Sequence, residues 1–391
     1  MAATKAAYSG PRILAGGYRI LFPLAALWAV LSVAMWVIFL VFNQEFGAGV
    51  DMFSWHAHGL VFGYGGAVVA GFALTAIPNW TGRTPVRGWA LGALVFPWLV
   101  ARVCELLLLG GYGAEAIRFV SEMIFFSLFL AVAAREVILG KNWRNLKVVL
   151  VFGLLVASAF TANLARVGAI ELPFLPSLGG LVVLLVLITI IGGRIIPAFT
   201  ANWLKGKGKT ALPIMFNRFD GLAILLGAGV LVAFLMGAEG ILFAGGCGLA
   251  AILHFIRLAR WQGLQTFGSP IVLVLHTSYL WVPVGFLLLA LASSGMVPVS
   301  AALHAWTIGG IGSTTLAVMS RASLGHAGLP LADSRLLTSL YVSINLAAIS
   351  RVLAAVWPTG YDVFLVASAI LWCTAFGLFL WRFVPLAFAR R

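Results

Sequence analysis

Charge is scarce in this chain. Of its 391 residues, 9% are Asp, Glu, Lys or Arg and 62% are hydrophobic, a balance that excludes a soluble globular protein and leaves a polytopic membrane protein. Cysteine is nearly absent. Cys104, Cys247 and Cys373 all fall in apolar segments, with no CxxC pair and no CxxCH motif, so neither a disulfide framework nor a covalently attached haem is expected. A phosphate-cradling glycine loop, a metalloprotease motif and a nucleophile triad are also missing. Carboxylates are the rarer charges, 11 against 25 Lys and Arg, for a net charge of +14. Such an excess can signal nucleic acid, but its distribution points elsewhere.

Each membrane crossing needs ~20 apolar residues, and the chain divides into twelve such units with little left over. The sequence predicts an all-α integral membrane protein, one polytopic domain over 1–391. Its transmembrane helices are expected at 20–43, 55–78, 88–109, 115–138, 145–166, 178–201, 219–236, 241–261, 270–292, 301–321, 334–357 and 363–385. Met1 to Tyr18 is polar and basic, and the apolar run from Ile20 is too long and too late for a cleaved signal. Basic residues then gather at alternate helix ends, among them Lys5, Arg19, Arg83, Lys141, Lys207, Arg260, Arg321, Arg390 and Arg391. Glu45, Asp51, Glu115, Glu171, Glu239 and Asp362 mark the opposite ends. The positive-inside rule puts the first set and both termini in the cytoplasm. On that topology the Asn79-Trp80-Thr81 sequon is cytoplasmic and is no glycosylation site, and the positive charge answers to the membrane rather than to nucleic acid.

Six histidines stand in or at the ends of these segments: His56, His58, His254, His276, His304 and His326. A polar ring at membrane depth is costly unless paired or bound, and neutral imidazole is a common ligand for transition metals and haem iron. Topology sorts the six into an outer group, His56, His58 and His304, and an inner group, His254, His276 and His326. His304 and His326 flank one helix, about 33 Å apart at ~1.5 Å per residue, and cannot share a site. His56 and His58 are two apart and point ~200° away from each other in a regular helix, so one metal takes both only at an unwound turn. The blander alternative for each histidine is an interfacial or hydrogen-bonded ring.

Glycines follow two of the histidines. Overlaying His58 on His304 aligns Gly63 with Gly309, Gly66 with Gly312 and Gly82 with Gly328. Close helix packing is the simple explanation; room for a flat macrocycle is the sharper one. Helix 6 shares a Pro-x-x-x-x-Asn-Trp flavour with helix 2, and helices 2, 6 and 10 are four apart, which suggests three four-helix repeats. Arg102, Arg166, Arg194 and Arg351 lie within apolar segments, with Arg118 near an end. Buried arginines need anionic partners. Glu105 and Glu122 offer two, and haem propionates suit the rest. The same two carboxylates are candidates for a proton path.

Longer motifs then converge. Trp55-His56-Ala57-His58 with Phe62-Gly63, Ala76-Ile77-Pro78-Asn79-Trp80-Thr81-Gly82-Arg83, Asn142-Trp143-Arg144-Asn145, Gly192-Gly193-Arg194-Ile195-Ile196-Pro197, Ala302-Leu303-His304-Ala305 and Ser320-Arg321-Ala322-Ser323-Leu324-Gly325-His326 resemble the NnrS family. The likeness runs from about Leu21 to Pro385. It implies a multi-pass protein of the bacterial inner membrane, carrying haem, with copper as a candidate, and tied to nitric oxide and nitrosative-stress defence, often beside denitrification. The expected activity is haem-b-dependent reduction of two NO to nitrous oxide. Copper or non-haem iron is a candidate second metal, and a quinol or periplasmic cytochrome the electron donor. His58 and His304 are the expected outer ligands with His56 close by; His254 and His276 are the inner ones with His326 as a third. Haem-copper oxidases and their nitric oxide reductase relatives offer an architectural analogy, with twelve helices and histidines on helices 2 and 10. The rival readings are an NO sensor without turnover and a transporter of a metal or metal–nitrosyl complex.

Overall fold

The computed structural model describes residues 8–44, 46–47 and 50–389; Lys5, Glu45, Arg390 and Arg391, counted above among the flanking charges, lie outside the described residues. Those described form helices and no strand. In chain order the long helices are α1 (Gly17–Phe42), α2 (Met52–Thr81), α3 (Trp89–Leu109), α4 (Glu115–Leu139), α5 (Trp143–Arg166), α6 (Leu178–Gly206), α7 (Arg218–Leu235), α8 (Gly240–Ala259), α9 (Pro270–Ser293), α10 (299–326), α11 (Arg335–Val356) and α12 (Tyr361–Phe388). Eleven of them are both long enough and apolar enough to cross a membrane, which makes this a multi-pass membrane protein. The exception is α10. Its 28 residues span about 42 Å, ample length, but they include Ser313, Thr314, Ser320, Arg321 and Ser323, all buried within the bundle. A helix enclosed by other helices need not match lipid.

The helix starts follow ordinary capping chemistry. Asp51 accepts from Phe53 N at 3.0 Å at the head of α2, Ser334 accepts from Leu337 N at the head of α11, and Asn217 with Asp220 forms a capping box on α7. Asn142 caps α5 and also donates its amide to the carbonyl of Trp80, tying the end of α2 to the start of α5. Gly82, which ends α2, and Gly328, just past α10, both take left-handed φ values, +70° and +59°.

Burial separates interior helices from rim helices. Within the central windows of α2, α6 and α9, 72%, 67% and 61% of residues are buried, against 33–44% for the other eight spans. α10 belongs with the interior set. The ring closes where α12 meets α1: Arg19 donates to the carbonyls of Leu386 and Ala387, and the Trp372 indole donates to Ala29 O at 2.9 Å.

Two helices depart from α-geometry, each directly after a histidine. In α2 the π-helical stretch is Gly59–Gly65, following His58; in α10 it is Ala305–Gly312, following His304. Indole N–H groups cap carbonyls in the first stretch, Trp28 to Gly59 O at 2.8 Å and Trp98 to Gly63 O at 2.9 Å. Such segments occur mostly as short insertions at functional sites. The expected likeness of helices 2 and 10 thus has a backbone counterpart. α6 does not share it, being α-helical over all 29 residues. α10 also runs on to His326, which the sequence suggested lies in a polar turn beyond the helix.

Candidate functional site

The heads of α2 and α10 lie side by side. Between them, closed by α1, α11 and α12, is a cavity into which His56, His304 and Arg351 face, with Trp36, Tyr64 and Trp372 among its walls. The His56 ring stacks on Trp36 at 4.5 Å and 17°, and its buried Nδ1 has no hydrogen-bond partner. His304 Nδ1 lies 2.7 Å from the carbonyl of Ser300. A carbonyl only accepts, so Nδ1 carries the proton and Nε2 keeps its lone pair, the orientation in which a histidine serves as a ligand. Arg351 has a buried Nη1 without a partner.

His58 is elsewhere. It points away from His56, as two residues on one helix should, and its Nε2 lies 2.6 Å from Glu122. The expected pairing of His58 with His304 is therefore corrected: His56 shares the cavity with His304, and His58 is held by a carboxylate.

That carboxylate belongs to a buried charge cluster joining α2, α3, α4 and α5. Glu122 accepts from Arg102 at 2.5 Å, Arg118 at 3.2 Å and Asn163 at 3.0 Å. Glu105 takes Arg166 in a two-pronged pair at 2.9 and 3.1 Å, and Arg118 also pairs with Glu115. Three guanidiniums face three carboxylates, so the cluster balances before His58 is counted. Arg166 is thereby paired within the protein, and Arg102 is paired through Nη2 alone, its buried Nε and Nη1 having no hydrogen-bond partner. Glu105 and Glu122 are ion-pair partners, a different situation from a chain of open proton carriers. Arg194 is half-buried, its guanidinium 6.0 Å from the Phe216 ring and without a carboxylate.

The inner histidines do not meet. His276 Nε2 is 2.8 Å from Thr200 Oγ1 on α6, whose own proton goes to Ile196 O. Its Nδ1 abuts Gly263, where a β-carbon would come within 2.6 Å. His254 Nδ1 contacts Tyr279 OH at 2.8 Å, the ring stacks on Phe286, and Nε2 is buried without a partner beside a smaller cavity. His326 is exposed at the end of α10 and stacks on Tyr18 of α1 at 5.2 Å. Among the described residues, no three His, Cys, Asp or Glu side chains converge as a metal site. Neither expected triplet closes, because helix rotation sends neighbouring rings to different partners.

A family model described as NnrS protein matches residues 12–391. The chain belongs to the NnrS family. Among curated proteins none matches it. In this NnrS chain a second buried network lay outside the sequence reading: Arg257 donates to Asp220 at 2.8 Å, to Thr189 O at 2.9 Å and to Tyr279 OH at 2.6 Å, and through Tyr279 reaches His254. Asp220 was concealed by its capping position, and Arg257 by its place near a basic helix end. A chain position cannot separate a guanidinium that snorkels from one wholly buried, as Arg257 is.

Proposed function

We propose that this protein is a haem-binding membrane protein of the nitric oxide response, working in a bacterial inner membrane, and that the cavity of His56, His304 and Arg351 holds the haem and captures NO. One observation carries the reading: two imidazoles and a guanidinium, with buried unpartnered nitrogens on His56 and Arg351, face one apolar, aromatic-walled cavity. His304 fits an axial ligand, its ring already held by Ser300, and Arg351 fits an acidic arm of the macrocycle. Without cysteine attachment the haem would be b-type. When bound, it would supply an iron centre for NO and a place to hold an electron. The chain's own part is to orient the imidazoles, balance negative charge and exclude water. A second cavity, lined mostly by apolar side chains of α2, α5, α6 and α10, meets the first at Leu184 and Ile311, an approach suited to a lipid-soluble gas.

Reduction of two NO to nitrous oxide and water, with two electrons and two protons from a quinol or cytochrome, is the second reading. His56 favours it, as a further free imidazole nitrogen in the same cavity. Capture without turnover is favoured by the lack of a third converging ligand for copper or non-haem iron among the described residues.

The test is an optical spectrum of protein purified from haem-replete cells, then anaerobic NO with a reductant and gas analysis. We expect a b-type spectrum that His304→Ala abolishes and His276→Ala keeps. A nitrosyl spectrum without nitrous oxide selects capture, and nitrous oxide selects reduction. Protein that binds no haem overturns the proposal.

A further inference from the structure

The first four helices and the last four pack alike. Shifting the numbering by 246 carries His58 to His304, Gly66 to Gly312 and Phe126 to Trp372, and the contacts follow. A β-carbon on Gly66 would stand 2.7 Å from the Phe126 ring, and one on Gly312 would stand 2.8 Å from the Trp372 ring. The π-helical stretches begin in the same register, one residue after each histidine. The same shift carries Glu122, one turn before Phe126 on α4, to Ser368, one turn before Trp372 on α12. α3 and α11 each contribute an arginine toward their C-terminal ends, Arg102 and Arg351, though not in the same register: the shift carries Arg102 to Ala348 and Glu105 to Arg351.

In the first copy a carboxylate is present, and Glu122 binds both His58 and Arg102, the latter through Nη2 with Nε and Nη1 left buried and unpartnered. In the last copy the carboxylate is missing. Ser368 is uncharged and gives its hydroxyl to Ala347 O at 2.8 Å. His304, Arg351 and Ser368 line one cavity, and the buried Nη1 of Arg351 has no partner there. A guanidinium held at membrane depth without a counter-charge is costly, and replacing Glu by Ser leaves the space that a carboxylate would fill.

We propose that the cavity of His304, Arg351 and Ser368 binds a planar oxyanion of carboxylate geometry, in the place Glu122 fills in the first copy. Two sources supply that chemistry: a free ion such as formate or nitrite, and the carboxylate arm of a larger ligand, a haem propionate. The second source rests on the haem reading above; the first stands without it.

Ser368→Glu restores the missing carboxylate, and Ser368→Gln has the same shape without charge. In purified full-length protein, the Glu variant is expected to melt higher than the Gln variant. Sodium formate or nitrite, compared with chloride at equal ionic strength, raises the melting midpoint of the wild-type protein and not that of Arg351→Gln if the free ion is the ligand. If a propionate is the ligand, the small ions have no effect on haem-loaded protein. Haem dimethyl ester then binds the wild-type protein about tenfold more weakly than haem, the loss of one charge-assisted contact, and binds Ser368→Glu no more weakly. Should Ser368→Glu fail to fold, Arg351→Gln decides alone, since it must lose whichever response the wild-type protein shows. No ion effect, no discrimination against the ester and no advantage of Glu over Gln together overturn the proposal.

Discussion

Gly193 shows how tightly single positions are held. A β-carbon there would lie 1.7 Å from Nη2 of Arg257, the guanidinium that also binds Asp220 and Tyr279. Alanine must displace a buried ion pair, and breaking such pairs costs about 3–5 kcal/mol. Gly193→Ala is therefore expected to lower the melting midpoint sharply or abolish expression, while Gly221→Ala, with no atom near its added methyl, changes it little. Equal melting of the two variants would refute the assignment. At this scale the sequence was informative about which residues were unusual and uninformative about partners. The histidines and buried arginines stood out against an apolar background. That His58 takes Glu122 while His56 takes the cavity depends on helix rotation, which pairs each ring with one neighbour and which no count of residues contains.

Among the elements, α2 and α10 carry the site through their π-helical stretches. Each widens the helix by an extra residue per turn and so sets the angle between the histidine at its head and the body of the helix. Deleting one residue within 305–312 should return α10 to regular geometry and swing His304 by about 100° relative to the residues after it. The expected outcome is a protein with unchanged helicity by circular dichroism that no longer binds haem; retained binding would show that the π stretch does not aim the ring. Eleven of the twelve expected spans were legible because twenty-residue apolar runs are hard to mistake; α10 is not apolar enough to count among them, and it runs further at both ends than its apolar stretch suggested. The π stretches were not, because glycine-rich sequence fits close α-helical packing equally well. The overlay of His58 on His304 was the one trace of them.

Across the whole molecule the charges follow burial. Glu105, Glu115 and Glu122 neutralise Arg102, Arg118 and Arg166 inside the bundle, while lysines such as Lys205 and Lys207 are exposed at the opposite end of the helices. The positive-inside rule then predicts orientation. With the three natural cysteines replaced, an impermeant maleimide should label Gly295→Cys in intact spheroplasts and Gly208→Cys only after lysis. The reverse pattern would invert the topology and with it the side on which the cavity of His56 and His304 lies. The multi-pass class was legible at this scale because it depends on totals, and the labelling experiment decides the orientation. Which helices form the interior was less legible: α6 and α9 read as ordinary apolar spans, yet they are among the most buried.

The polarity of α10 bears on how the protein is made. A segment with Ser313, Thr314, Ser320 and Ser323 along it and Arg321 toward its end gains little from lipid alone. It must enter the membrane in the company of neighbours already there, with α9 ahead of it and α11 and α12 following. The helix that bears His304 is thus the one most dependent on its partners during biosynthesis. A chain truncated after α10 would be left with that helix unsheltered, a natural substrate for membrane quality control before any ligand could bind.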